Sequence, residues 1–242
     1  MRDRPESGML LAELVVWHTR PLAPTRRLAL GNLVLPTDPP PGLGGLLLGA
    51  VVAEHARDVD DDLIPDLHRL IEQVERGDRV VQPRLRHRFQ VDRHGLGHST
   101  HRLYAEGDDL RFAFDPHGSP LAMVLGAVYA LERLEEPSRR SIGPALHKAV
   151  RWRGPIGPTL IAHLAGTNAT SLSSLADPRA WALDVLGFPV GSPLPTRKEL
   201  AAQFRVRMRL VHPDHGGNVD DASKAVHDLG EARKILSEAA SR

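Results

Sequence analysis

From Asp177 onward the chain carries its own punctuation, and that punctuation demands three helices separated by defined turns. Asp177 can accept a backbone N–H as an N-cap, with Pro178 at the first helical position, where a missing N–H costs nothing. Trp181, Val185 and Leu186 form an apolar stripe, and Gly187 supplies a left-handed stop. After a loop with three prolines, Thr196-Arg197-Lys198-Glu199 is a capping box, in which hydroxyl and carboxylate each satisfy an orphan backbone N–H. Leu200, Phe204, Met208 and Val211 then share one helix face, while Lys198, Arg205 and Arg209 make a basic ridge on another. The helix runs into His212-Pro213-Asp214. Asp220 or Asp221 can open a third helix with Ala222, Val226, Leu229, Ala232 and Leu236 inward and Lys224 and Asp228 spaced as a surface pair.

Residues 178–240 resemble the J domain of DnaJ-type co-chaperones. The matching features are Trp181…Leu186-Gly187, Phe204-Arg205 in the second helix, the His212-Pro213-Asp214 tripeptide, Gly216-Gly217 behind it, and Glu231-Ala232…Leu236 in the third helix. The resemblance implies a small all-α domain that docks on a DnaK-type chaperone in its ATP-bound state and triggers ATP hydrolysis. It makes His212, Pro213 and Asp214 the trigger loop and Lys198, Arg205 and Arg209 the electrostatic docking ridge. Five positions depart from the pattern. Arg207 stands where an apolar residue is usual, Leu210 where a Lys or Arg is common, and His215 in place of the basic residue after the tripeptide. Val226 and Arg233 replace the Phe and Tyr typical of the third helix. These departures bear on the strength and selectivity of chaperone engagement rather than on the fold.

The preceding residues match no recognised pattern and read as an α+β domain. Residues 10–18 and 26–35 have strand character, Pro36–Gly45 is a proline- and glycine-rich break, and Gly49–Arg57 is a short helix. Leu63, Leu67, Leu70, Ile71 and Val74 recur at helical spacing until Gly77. Arg84–Asp92 alternates, with Arg84, Arg86 and Arg88 on one face and Leu85, His87, Phe89 and Val91 on the other, the pattern of a half-buried strand. Segments 95–105 and 109–115 continue an antiparallel meander, and Pro120–Leu134 returns to helical spacing. Residues 137–177 suggest small helical pieces broken at Gly143, Gly154-Pro155 and Gly157-Pro158. The expected organisation is an α+β domain over 1–165, a Ser/Thr/Asn-rich linker over 166–176, and an all-α helical-hairpin J domain over 177–242.

A chain of 242 residues holds one or two domains. The absence of cysteine excludes disulfides, iron–sulfur clusters, thiolate zinc sites and a Cys nucleophile. It also excludes the Cys-x-x-Cys-x-Gly-x-Gly zinc repeat of full-length DnaJ, and no Gly/Phe-rich stretch stands in for it. The chain therefore fits the specialised class of J protein, whose other domain supplies a location or a dedicated client. No secretory signal is visible at the N-terminus. Leu43–Ala53 is far shorter than the ~20 apolar residues of a spanning helix, so the expectation is a soluble, cytoplasmic protein with no membrane partner. With 27 Arg against 4 Lys, the codon bias is that of a high-GC bacterial genome, which lowers the weight of any single arginine.

Three features outside the J-like segment invite functional readings. Between Arg76 and Tyr104 seven Arg oppose two Asp, and Arg84, Arg86 and Arg88 on one strand face could track phosphates. This makes a nucleic-acid or scaffold module with a vestigial J domain the alternative reading, although an ordinary solvated strand is the simpler account. His94, His98 and His101, with His87 nearby, have spacings that a turn could gather around a metal, but an extended strand sends His98 and His101 to opposite faces, so no metal site is expected. Gly42-Leu43-Gly44-Gly45…Gly49 matches no phosphate-binding loop and reads as a flexible turn. No catalytic motif is present, so the chain reads as a non-enzyme without a cofactor, whose partners are a DnaK-type ATPase and an unidentified client protein.

Overall fold

The computed structural model describes residues 8–20, 26–78, 85–189, 191–211 and 219–240. The chain divides into two compact units, Met1–Ala165 and Gly166–Arg242.

The first unit is built on a five-stranded mixed sheet of order β3-β2-β1-β4-β5. The strands β1 (Met9–His18) and β2 (Arg27–Val34) pair antiparallel, and β1 pairs on its other side with β4 (Gly97–Glu106), which forms a hairpin with β5 (Asp109–Ala113). The period of two in β1 buries Ala12, Leu14, Val16 and His18 and turns Glu13, Val15 and Trp17 outward. Two helices lie against this sheet: α1 (Gly42–His55) and α3 (Pro120–Glu132), the latter capped by the Ser119 hydroxyl, which accepts from the Ala122 N–H. Behind them pack α2 (Ile64–Arg76), α4 (Glu136–Val150) and α5 (Pro158–Ala165). The predicted stripe of α2 is buried at Leu67, Leu70, Ile71 and Val74, and Gly77 ends the helix at φ +74°.

Several sequence expectations need correction. The supposed proline/glycine break ends early, because α1 starts at Gly42 rather than near Gly49. Its glycines are packing surfaces: a Cβ on Gly49 would meet Leu164 Cδ1 at 2.7 Å, and one on Gly45 would meet Ile142 Cγ1 at 2.9 Å. A helix apolar on all sides is a buried one. Among the described residues, none of the helices is long and apolar enough to cross a membrane. The helix α4 runs unbroken through Gly143-Pro144, because Ile142, Ala145, Leu146, Ala149 and Val150 bury one face and outweigh the single backbone hydrogen bond that proline removes. The expected strand over 84–92 shrinks to β3 (Arg88–Phe89), parallel to β2. Arg86 takes a left-handed φ of +52°, which no continuous strand permits. Val91, expected to face inward, is 82% exposed.

The second unit is entirely helical among its described residues: α6 (Leu172–Ala176), α7 (Pro178–Val185), α8 (Arg197–Val211) and α9 (Val219–Ala239). Its core is Ala182, Leu183, Leu186, Leu200, Leu229, Ala232 and Leu236, bordered by Trp181, Phe204, Met208 and Val211. Residues 166–176 are not a free linker. Ala169 and Ser174 are buried, Thr167 Oγ1 donates to Glu231 Oε1 at 3.1 Å, and α6 packs against α7. The Ser/Thr content that suggested a linker supplies short-range caps instead, with Ser171 Oγ accepting from the Ser174 N–H.

Candidate functional site

The most organised charged surface of the second unit lies on α8. At the start of α8, Thr196 N–H donates to Glu199 Oε2 at 2.8 Å and Glu199 N–H to Thr196 Oγ1 at 3.3 Å, the reciprocal capping box. The Thr196 hydroxyl and N–H hold the Glu199 carboxyl below its ordinary range. Upstream, Asp177 Oδ1 accepts from the Ala180 N–H at 2.9 Å and starts α7. With the core face of α8 set by Leu200, Phe204, Met208 and Val211, Lys198, Arg205 and Arg209 are all exposed. Their spacings of seven and four residues place them on one line of the helix. Beside that line stand Val206, 48% exposed, and Leu210, 65% exposed, an i,i+4 pair that makes an apolar border to the basic ridge. The spacing was readable in the sequence, yet Leu210 registered there only as a missing charge. The tripeptide His212-Pro213-Asp214 and His215 follow Val211 directly in sequence and lie outside the described residues.

Two departures from the J-domain pattern have structural work. The Arg207 guanidinium reaches back over the end of α7: Nε donates to Leu186 O at 3.3 Å, and Gln203 Nε2 donates to Gly187 O at 3.5 Å. Gly187, at φ +74°, leaves the room this needs, since a Cβ there would sit 1.7 Å from Arg207 Nη2. Arg233 lies over the Phe204 ring, with its guanidinium carbon 4.9 Å from the centroid, so a cation–π contact joins α8 to α9. The third-helix position Val226 is half-buried. Replacing Arg207 with Ala removes the only side chain donating to Leu186 O among the described residues and is expected to cost the second unit about 1 kcal/mol. Urea unfolding of the variant checks this, and an unchanged midpoint would show that the contact carries no stability.

Among its described residues, the first unit does not gather the arginines and histidines weighed above into one place. Arg86 and Arg88 are exposed, but the left-handed turn at Arg86 breaks the line they were to share, and Arg84 lies outside the described residues. The histidines scatter: His98 lies beside Trp17, ring centroids 4.9 Å apart and planes tilted by 36°, and His94 is exposed. His101 is buried with Nε2 3.2 Å from Met123 Sδ, and His87 is buried with Nδ1 bonded to Leu85 O at 2.8 Å. Among the described residues no three His, Asp or Glu side chains converge on a metal position.

One arrangement invisible in the sequence superficially suggests a nucleophile and its base. His18 Nε2 and Ser99 Oγ are 2.9 Å apart across a gap of 81 residues. Ser99 Oγ, however, also lies 2.6 Å from His117 O, which can only accept, so the hydroxyl proton is committed there and His18 Nε2–H donates to Ser99. Ser99 is fully buried, and the arrangement ties β1 and β4 to the loop after β5. Asp115 Oδ1 takes a further 2.6 Å hydrogen bond from His117 Nδ1. Comparison with family models, with curated proteins and with solved structures returned no match.

Proposed function

We propose that this chain is a specialised co-chaperone: the second unit is a J domain that docks on a DnaK-type chaperone and stimulates its ATP hydrolysis, and the first unit supplies a client or a location in the bacterial cytoplasm. One observation carries the reading. An exposed basic ridge on α8, bordered by exposed apolar side chains and held by α7 and α9, ends immediately before His212-Pro213-Asp214. The two halves of that face do different work. Lys198, Arg205 and Arg209 steer the encounter with an acidic surface, which sets the on-rate and its salt dependence. Covering the exposed parts of Val206 and Leu210 contributes affinity that salt does not screen, about 1–2 kcal/mol for each side chain. This arrangement compensates for the charge missing at Leu210: an apolar contact replaces part of the electrostatic one.

The test is single-turnover ATP hydrolysis by a DnaK-type chaperone with increasing amounts of the full chain. Acceleration by the wild type is expected. Arg205→Glu with Arg209→Glu should raise the half-stimulating concentration about tenfold or more at low salt, with the difference narrowing as ionic strength rises. No acceleration by the wild type would overturn the proposal.

A further inference from the structure

The first unit holds an open cavity of about 930 Å³ whose wall includes His68 and Glu72 from α2, His147 from α4, and Arg151 and Trp152 just beyond it. That volume is in the range that takes a small metabolite. Two of its side chains form an unusual pair. Nδ1 of His68 and Nδ1 of His147 lie 2.7 Å apart, with ring centroids 5.0 Å apart and ring planes within 13°, so the rings meet edge to edge. At that distance one ring donates and the other accepts, so the facing nitrogens share one proton, and a second proton would set two N–H groups against each other.

The fixed charge of the wall is positive, with Lys148, Arg151 and Arg153 against Glu72. Two of these cations are also held by main-chain oxygens. Lys148 Nζ donates to His163 O at 3.1 Å, and Arg153 Nη1 donates to Val150 O at 3.0 Å and to Trp152 O at 2.9 Å. Arg153 thus meets the carbonyl end of α4, and Lys148 that of α5. Arg151 is exposed and makes no ion pair among the described residues. Trp152, steadied by a 3.2 Å bond from Nε1 to Pro155 O and lying 5.0 Å from the His163 ring, supplies a flat apolar wall.

We propose that this cavity binds a small phosphorylated metabolite, with the phosphomonoester held by Arg151 and the His68–His147 pair and the organic body against Trp152. A dianion suits the site because it answers both the fixed cations and an added proton, which the pair takes on the outer Nε2 of the donating ring while the facing nitrogens still share one. A single negative charge would leave these underneutralised. Burial first, then His147 and Arg151, hold the His68 imidazole below its ordinary pKa, with Glu72 opposing; burial likewise lowers His147, against Glu72 and Glu75 and with Arg151. A bound dianion reverses that balance, so binding takes up a proton.

Calorimetric titration of the full chain at constant ionic strength tests this with two probes. Sulfate remains a dianion throughout the pH range used, and phenyl phosphate adds an aromatic body. Sulfate is expected to bind about threefold or more tighter at pH 6 than at pH 8, as follows from raising a pKa that starts below 6.5 by about one unit, with proton uptake visible as a buffer-dependent enthalpy. Phenyl phosphate should bind more tightly than sulfate, Arg151→Ala should weaken both about tenfold, and His147→Gln should flatten the pH dependence. Sulfate affinity that is equal at pH 6 and pH 8, or wild-type affinity in Arg151→Ala, would overturn the proposal. Arg151 is exposed, so that variant decides the matter even if His147→Gln disturbs folding. An oligonucleotide binding through Arg151 more tightly than phenyl phosphate would overturn the small-molecule assignment.

Discussion

His212→Gln is expected to return chaperone ATP hydrolysis to its unstimulated rate while leaving the fold of this chain unchanged. The side chains that hold the second unit together lie on the helices: Ala182, Leu183 and Leu186 on or beside α7, Leu200 on α8, and Leu229, Ala232 and Leu236 on α9. Position 212 follows the last residue of α8, and Gln is close to His in size and polarity but lacks the ring. Far-UV circular dichroism and melting should therefore be those of the wild type. The separation between trigger and ridge gives the prediction a second edge. Charge reversal at Arg205 and Arg209 weakens encounter, so saturating amounts of that variant should restore most of the stimulation. If the proposed function holds, His212→Gln should lower the plateau itself, because the tripeptide would act by preferring one state of the partner, and a ligand without that preference shifts nothing however well it binds. A variant that reaches the wild-type plateau would remove the tripeptide from the mechanism.

What the sequence revealed follows the range over which each signal acts. Caps are local chemistry, and those of α7 and α8 were legible from Asp177 and from Thr196 with Glu199, each within three residues of its partner. The stop at Gly77 was legible for the same reason, whereas residues 10–18 showed strand character but no clean alternation, and the period of two in β1 appears only in the fold. Non-local contacts were not. Arg207 looked like a misplaced charge until its partner, the Leu186 carbonyl 21 residues earlier, was in place. The His68–His147 pair joins residues 79 apart, and the His18–Ser99 contact joins residues 81 apart, with no mark in either local segment. Composition misled in two places. The glycines of α1 suggested a turn, yet they permit close approach to Ile142 and Leu164. The Arg84–Asp92 alternation reflected burial only over Leu85–Arg88, where Leu85 and His87 are inside and Arg86 and Arg88 outside, and there the backbone reaches it through a turn at Arg86 rather than through an extended strand; Val91 is exposed.

Acidification below pH 6.5 is expected to destabilise the first unit steeply, with His101 the largest single contributor. His101 has no exposed surface, and it packs against Met123 of α3 and near His55 of α1 and Phe114. Burial, and then the neighbouring His55, push its pKa down to about 3, with Asp115 pulling upward and His18 adding a smaller downward push. In the unfolded chain the ring titrates at its ordinary 6.5. Between those two values the unfolded state carries a proton that the native state refuses, so stability is complete above pH 6.5 and is lost as pH falls toward 3. The slope is about 1.4 kcal/mol per pH unit, or about 2 kcal/mol by pH 5. Burial lowers His18, His55, His87, His68 and His147 in the same direction, so their contributions add to the loss rather than cancel it. Urea unfolding at pH 7.5 and pH 5 measures the difference directly. His101→Phe, which keeps an aromatic ring beside Phe114 and removes the titrating group, should lose about 2 kcal/mol less than the wild type over the same interval. A wild-type midpoint that does not move, or a variant that falls just as far, would show that the buried ring finds a way to accept its proton without unfolding. The cost of His101 is therefore a property of the native packing: the same closure that buries the ring among α1, α3 and β4 denies its charged form solvation that Asp115 does not replace.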